Sequence, residues 1–184
     1  QQIEPFKNRR AGALSGGMKQ KLALSCALIH RPSILFLDEP TTGVDAISRI
    51  EFWDMLKKLQ TFGMTILVST PYMDEASLCD RIGLIQNGKI LVVSTPEEIR
   101  KSYHGNLWSV HSSNMFQLMH DLKNWEKTDS VFSFGDSMHL SLKNSQYFEK
   151  DIQDYLNSKL HEKIIISKIQ PTVEDCFIQL MKTG

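Results

Sequence analysis

Residues 34 to 45 read ILFLDEPTTGVD, an apolar run that stops on two acids and a proline. A short continuous apolar run closed by charge has the length and texture of a buried parallel strand rather than of a helix. Asp38 and Glu39 then emerge at the carboxyl end of that strand, where open α/β sheets bind ligands. An aspartate in that place can hold Mg²⁺, directly or through water, and a glutamate beside it can orient and deprotonate an attacking water. The plainer alternative is a pair of solvated loop acids. What surrounds the stretch decides between them.

Upstream, MKQKLALSCALIH carries Met18, Leu22, Cys26 and Ile29 at helical spacing behind Ser15, an N-cap residue, so a helix is predicted over 16–30. Downstream, Asp45 can cap the helix AISRIEFWDMLKKLQT, with Phe52, Met55, Leu56 and Leu59 on one face and Gly63 closing it. MTILVS reads as a second buried strand and YMDEASLC as a short helix with acids at its start. RIGLI and KILVVS flank Asn87-Gly88, the strongest two-residue hairpin signal. TPEE at 95–98 is a capping box with proline at the first helical position. Strand and helix alternate throughout, which predicts an α/β layer.

From residue 104 the texture changes. LWSVH, a helical MFQLMHDL, the strands VFSF and MHLSLK joined by GDS, an amphipathic YFEKDIQDYLNSKL, the strand KIIISKI and a final helix started by Thr172 follow one another. The order β-α-β-β-α-β is that of the split βαβ, ferredoxin-like unit. Two domains are expected, 1–104 and 105–184.

Lysine plus arginine and aspartate plus glutamate number 21 each, so there is no general attraction to nucleic acid or anionic lipid. Three cysteines, Cys26, Cys79 and Cys176, stand far apart in no metal spacing, which fits buried thiols in a reducing compartment. Trp53 and Trp108 are expected to pack, and KNRR at 7–10 to be a solvated basic patch. No apolar run reaches the ~20 residues of a membrane span, and QQIEPFKNRR has no signal-peptide pattern.

GALSGGMK at 12–19 looks at first like a phosphate-cradling P-loop. Gly12 and Gly17 have the right separation, but Met18 stands where the lysine belongs, Lys19 where the hydroxyl belongs, and no apolar strand precedes them.

Taken together, LSGGMKQK at 14–21, ILFLDEPTTGVD at 34–45 and TILVST at 65–70 resemble the nucleotide-binding subunit of an ABC transporter. LSGGMKQ is similar to that family's signature motif, ILFLDEP to its Walker B strand with the following glutamate, and TTGVDAISR to its D-loop. MDEASLCDRIGLIQNGKILVVSTPEEI extends the likeness, and PTVEDCFIQL resembles the tail of subunits that serve ABC-2 type exporters. The resemblance implies the carboxyl-terminal part of a P-loop NTPase core followed by a small α+β ferredoxin-like domain. It implies ATP and Mg²⁺ as ligands, with Glu39 catalytic, Asp38 at the metal, and Leu14, Ser15, Gly16, Gly17, Gln20 and Asp45 at the nucleotide. The signature loop would face the γ-phosphate of ATP held by a second nucleotide-binding subunit in a head-to-tail dimer. A helix start approached over two glycines suits an anion.

Two departures accompany the likeness. The family's P-loop lies upstream of the signature, where this sequence has about a dozen residues, so the chain alone is expected to lack the main ATP surface and to be inactive. Pro71 occupies the position where the family has a histidine that reaches the γ-phosphate, so hydrolysis in the assembled enzyme is expected either to depend on Glu39 alone and be slow, or to be lost at a degenerate site. The leading expectation is an ATPase subunit of an exporter on the cytoplasmic side of a bacterial membrane, working with membrane-spanning permease subunits and no nucleic acid. A second reading is a non-catalytic protein that lends its signature loop to a partner ATPase. A third is an ABC-type protein acting on DNA or ribosomes, which the zero net charge and the absence of a long coiled coil disfavour. Half of an α/β core would expose an apolar edge and face.

Overall fold

The computed structural model describes residues 7 to 183. The stretch 1–6, most of the segment read above as carrying no signal peptide, lies outside the described residues. The chain divides into two compact units, Gln1–Glu75 and Ala76–Gly184.

In the first unit a short 3-10 helix, Ala11–Ala13, leads to α1, Gly16–Ala27, which Ser15 caps by accepting from Met18 N–H at 3.3 Å. The helix is shorter than its periodicity predicts. Leu28–His30 tightens into a 3-10 turn, and Arg31, left-handed at φ 46°, ends it before the proline that follows. Strand β1, Ile34–Asp38, pairs in parallel with β2, Thr65–Ser69, and α2, Ala46–Thr61, makes the crossover. Asp45 caps α2, accepting from Ser48 N–H at 2.9 Å. Phe52, Trp53 and Leu56 of α2, Leu24 of α1 and Leu35 of β1 are buried together with Leu14. The short helix α3, Met73–Ala76, closes the unit and covers only part of the span YMDEASLC.

The β1–β2 sheet is parallel, as the apolar runs predict, but among the described residues only one of its faces is covered. Ile34, Phe36 and Leu67 are 51, 71 and 61% exposed on the other face, where parallel sheets are normally buried.

In the second unit β3, Ile82–Gln86, and β4, Lys89–Ser94, form the expected hairpin. Asn87 and Gly88 both adopt positive φ, 50° and 74°, the pair of left-handed residues that a type I′ turn requires. Helix α4, Pro96–Lys101, starts on the Thr95–Glu98 capping box. Then come β5 (Leu107–His111), α5 (Met115–Asn124), β6 (Thr128–Phe134), β7 (Ser137–Leu142), α6 (Glu149–Ser158), β8 (Ile165–Ile169) and α7 (Val173–Thr183). The sheet order is β6-β7-β5-β8 with every pairing antiparallel, the arrangement of a ferredoxin-like βαββαβ unit. Its core joins Trp108 and Val110 of β5 and Met138 and Leu140 of β7 to Leu118 and Leu122 of α5 and Ile152 and Leu156 of α6. Trp125 stacks on Tyr155 with ring centres 4.6 Å apart. The expectation that Trp53 and Trp108 pack is met, since both are buried.

His139 points from β7 to the face opposite Met138 and Leu140, where its Nδ1 lies 2.8 Å from Asp175 Oδ1 of α7. The expectation of buried thiols holds for Cys176 alone, whose thiol burial pushes up to about 11. Cys26 is exposed, on a helix whose buried apolar residue is Leu24, and Cys79 is half-buried.

Candidate functional site

Parallel register sets the carboxyl ends of β1 and β2 side by side, with Asp38 opposite Ser69. The Ser69 hydroxyl donates to Asp38 Oδ1 and accepts from Glu39 N–H at 3.2 Å, while the Ser69 carbonyl accepts from the same N–H at 3.0 Å. One serine therefore fixes a carboxylate and the backbone of its neighbour. Glu39 is left-handed at φ 43°, a conformation that costs a residue with a side chain about 1 kcal/mol and persists only where the surroundings hold it. It turns the chain abruptly out of β1. Thr42 N–H bonds back to the Glu39 carbonyl at 3.2 Å, and the Thr42 hydroxyl donates to Glu39 Oε2 at 3.1 Å. Both carboxylates are exposed, and neither is bonded to a cation among the described residues.

The start of α1 forms a second cluster. Gly16 and Gly17 leave their helix turn free of side chains, and packing explains why they must. A Cβ on Gly17 would stand 2.5 Å from Ser48 Cβ and Oγ, and one on Gly16 would stand 3.1 Å from the Gly43 carbonyl. The signature loop thus lies against the loop 39–45 and the first turn of α2. Ser15 uses its oxygen as the cap and keeps its hydroxyl hydrogen for an acceptor outside the helix. Leu14 is buried beneath the loop, and Gln20 is half-buried one turn along α1. Lys21 pairs with Glu51 across α1 and α2. Asp45 is drawn below its ordinary carboxylate value of 3.8 by the Ser48 backbone N–H it accepts, so it is ionised at the start of α2. The sequence points to eight site residues, Leu14, Ser15, Gly16, Gly17, Gln20, Asp38, Glu39 and Asp45. The structure joins Gly16 and Gly17 to the D-loop and Asp38 to Glu39 through Ser69, but no hydrogen bond or ion pair links Ser15 or Gln20 to Asp38 or Glu39 among the described residues.

Sequence reading passed over Ser69, Thr41, Arg49 and Glu75. Glu75 is 2% exposed and accepts from the Thr41 hydroxyl at 2.6 Å and the Thr70 hydroxyl at 2.7 Å. Arg49 Nε lies 3.4 Å from it, and Arg49 also bonds Asp74 at 2.6 Å and lies over the Tyr72 ring at 4.8 Å. The only signal in the sequence was a glutamate inside an otherwise solvent-facing acidic turn, which gives no hint of burial. Pro71 is exposed, and the turn around it is held by Tyr72 N–H on Thr70 Oγ1 at 3.1 Å.

The donor set fits the ligands that the sequence suggests. Asp38 offers hard carboxylate oxygens with one already oriented by a hydroxyl, as Mg²⁺ prefers when substrate phosphates complete its shell. The α1 start offers unpaired N–H groups and a hydroxyl to an anion.

The ABC transporter family pattern matches residues 1–42. The probable multidrug ABC transporter ATP-binding protein YbhF of Escherichia coli is 39% identical over 182 residues, covering 97% of this chain and 31% of YbhF. The Nod factor export ATP-binding protein I of Neorhizobium galegae is 30% identical over 181 residues, covering 97% of this chain and 50% of that protein. The daunorubicin/doxorubicin resistance ATP-binding protein DrrA of Streptomyces peucetius is 39% identical over 102 residues, 55% of this chain and 31% of DrrA. The chain therefore spans about a third to a half of the length of these relatives. Among solved structures, the ATP-binding cassette MJ1267 of an ABC transporter matches 53% of this chain and 39% of its own with a TM-score of 0.50 and 26% identity. With motifs, strand-end carboxylates and similarity along 97% of this chain in agreement, the chain belongs to the family of ABC transporter ATP-binding proteins.

Proposed function

We propose that this chain works as part of an ATP-hydrolysing subunit of an ABC exporter and couples nucleotide turnover to membrane-spanning permease subunits. The observation that carries the reading is the Asp38–Ser69–Glu39 arrangement, two carboxylates set at the carboxyl end of a parallel strand by one hydroxyl from the next. Glu39 orients and deprotonates the attacking water, and Asp38 holds Mg²⁺, which supplies charge neutralisation to the phosphates when bound. The start of α1, with Leu14 beneath it and Gln20 one turn on, presents Ser15, Gly16 and Gly17 to the γ-phosphate of ATP seated on a second nucleotide-binding subunit. Asp45, at the head of α2, communicates between the two sites of that head-to-tail dimer. No stretch of the 184 residues fits the P-loop pattern, so the lysine that cradles ATP comes from outside them and the chain alone turns over no ATP.

Residues 1–104 serve the ATPase, and 105–184 form an accessory module of regulatory or dimerising kind. The Nod factor relative, with export in its name, supports the direction of transport, and the bacterial sources of the relatives support a place at a bacterial membrane, taken here to be its cytoplasmic face. Among the described residues no helix is long and apolar enough to cross a membrane. The contact with the permease is peripheral in this reading. The intact signature helix beside a proline in the histidine position favours one second reading, a non-catalytic partner that lends Ser15–Gly17 to another ATPase.

Glu39→Gln separates the two. The substitution abolishes ATP turnover in the assembly that contains this chain and preserves ATP binding if the chain is catalytic. Unchanged turnover in that variant rejects the catalytic role and leaves the lending role.

A further inference from the structure

Glu75 is a buried charge without a task in the reaction as described. Removing a carboxylate from water costs several kcal/mol unless partners replace the lost hydration, and a well-packed apolar residue would fill the same space without that cost. Three of its partners come from separate segments. Thr41 belongs to the loop after β1, Thr70 to the loop after β2, and Arg49 to α2. Arg49 is itself held, by Asp74 at 2.6 Å and by the Tyr72 ring at 4.8 Å, so its approach to Glu75 is directed.

The first of those loops carries the residues of interest. Thr41 stands two positions after Glu39, and Val44 N–H bonds the Thr41 carbonyl at 3.1 Å just before Asp45 caps α2. Glu39 occupies left-handed backbone at φ 43°, which relaxes unless it is held from both sides. Ser69 holds the amide side, and on the other side the chain passes through buried Pro40 to Thr41, which is 1% exposed and tied to Glu75.

Resting on the ATPase reading above, we infer that Glu75 is a positioning residue that tethers the loop 39–45 through Thr41 and so fixes where the Glu39 carboxylate points. It touches no substrate. Its loss therefore leaves ATP binding in place and slows the chemical step.

The tether can be tested in two ways. In the 184-residue chain, Glu75→Gln keeps the shape and removes the charge, while Thr41→Val cuts the tether at its other end and leaves Glu75 with Thr70 and Arg49. Amide hydrogen exchange at Thr42 and Val44 becomes about tenfold faster in both variants, with the amide of Trp53 inside α2 unchanged. In the assembled ATPase each variant lowers kcat roughly tenfold with KM for ATP within about twofold, and the double variant is no slower than Glu75→Gln alone. Unchanged exchange overturns the tether, and faster exchange with unchanged kcat overturns its role in positioning Glu39. A wild-type assembly without ATP turnover overturns the function reading instead, and exchange in the chain alone then still decides whether Glu75 holds the loop.

Discussion

Asp38 and Ser69 are register partners at the ends of two parallel strands, and the hydroxyl of one is bonded to the carboxylate of the other. The same oxygen accepts the Glu39 amide, so the strand that follows the crossover sets both acids of the strand before it. Ser69→Ala removes the hydroxyl and leaves the carbonyl bond to Glu39 N–H intact. Because the pair is exposed, stability falls by only ~0.5–1 kcal/mol. If Asp38 holds Mg²⁺ as proposed, its orientation matters more, and the Mg²⁺ concentration for half-maximal ATP turnover in the assembly rises roughly tenfold. A Mg²⁺ titration of wild type and variant checks this; superimposable curves would mean that Asp38 needs no orienting hydroxyl.

The two glycines of GALSGGMK that looked like half a P-loop have opposite sensitivities. At Gly17 an added methyl meets Ser48 Cβ and Oγ at 2.5 Å, and a serine Cβ has no flexible end to swing away. Helices α1 and α2 must separate, and Gly17→Ala costs about 1–3 kcal/mol in chemical unfolding of the chain. At Gly12 nothing lies within 4 Å, so Gly12→Ala stays within about 0.5 kcal/mol of wild type. Equal effects at the two positions would contradict the helix contact.

These two glycines also mark how far the sequence could be read. Local chemistry was legible wherever a residue acts on its own neighbours: Asp45 and Ser15 as caps, Asn87-Gly88 in the hairpin, Thr95 with Glu98. The order of strands after residue 104 gave the ferredoxin-like sheet in the same way, because crossover lengths restrict the topology. Non-local relations stayed hidden. Nothing in DEPTTG says that Glu39 is left-handed, since that strain is held by Ser69, thirty residues on. Nothing in YMDEAS says that Glu75 is buried while Asp74 beside it is exposed. The helix expected there is only four residues long because the chain leaves it for a turn after Ala76, three residues before the expected end.

Asp175 joins α7 to the sheet of the second unit and gives that unit a pH dependence. Burial raises its pKa, but the bonds from His139 and from the Thr172 hydroxyl and amide outweigh burial and leave it below the ordinary 3.8. A depressed carboxylate contributes stability that is fully present above the unfolded value and is lost as pH falls through the folded one. Asp175→Asn therefore costs ~2 kcal/mol near neutral pH, and the difference from wild type shrinks below the unfolded value of 3.8. Urea unfolding followed by fluorescence at several pH values reads it, Trp108 and Trp125 being buried in this unit's core. A difference that is the same at low and neutral pH would show that shape rather than charge is what Asp175 supplies.

Pro71 stands where relatives of this family are expected to carry a histidine, and the geometry around it says what a histidine would change. Proline offers no N–H, the amide that follows it, Tyr72, is already bonded to Thr70 Oγ1 at 3.1 Å, and the Thr70 hydroxyl hydrogen goes to Glu75 at 2.7 Å. The turn is thus closed by groups other than residue 71, whose side chain is exposed and could become an imidazole without repacking. A positioned general acid or base contributes about 10²–10⁴-fold to a rate, of which a site that Glu39 serves in the proposed mechanism would recover part. Pro71→His is therefore expected to speed ATP turnover in the assembly by at least roughly tenfold, equivalent to about 1.4 kcal/mol of barrier. Pro71→Ala relaxes the backbone in the same way without adding an imidazole and gives no acceleration. If both variants turn over at the wild-type rate, the γ-phosphate does not need a group from this position and Glu39 carries the water activation alone; if both accelerate, the rigidity of proline, and not the missing imidazole, was what slowed the enzyme.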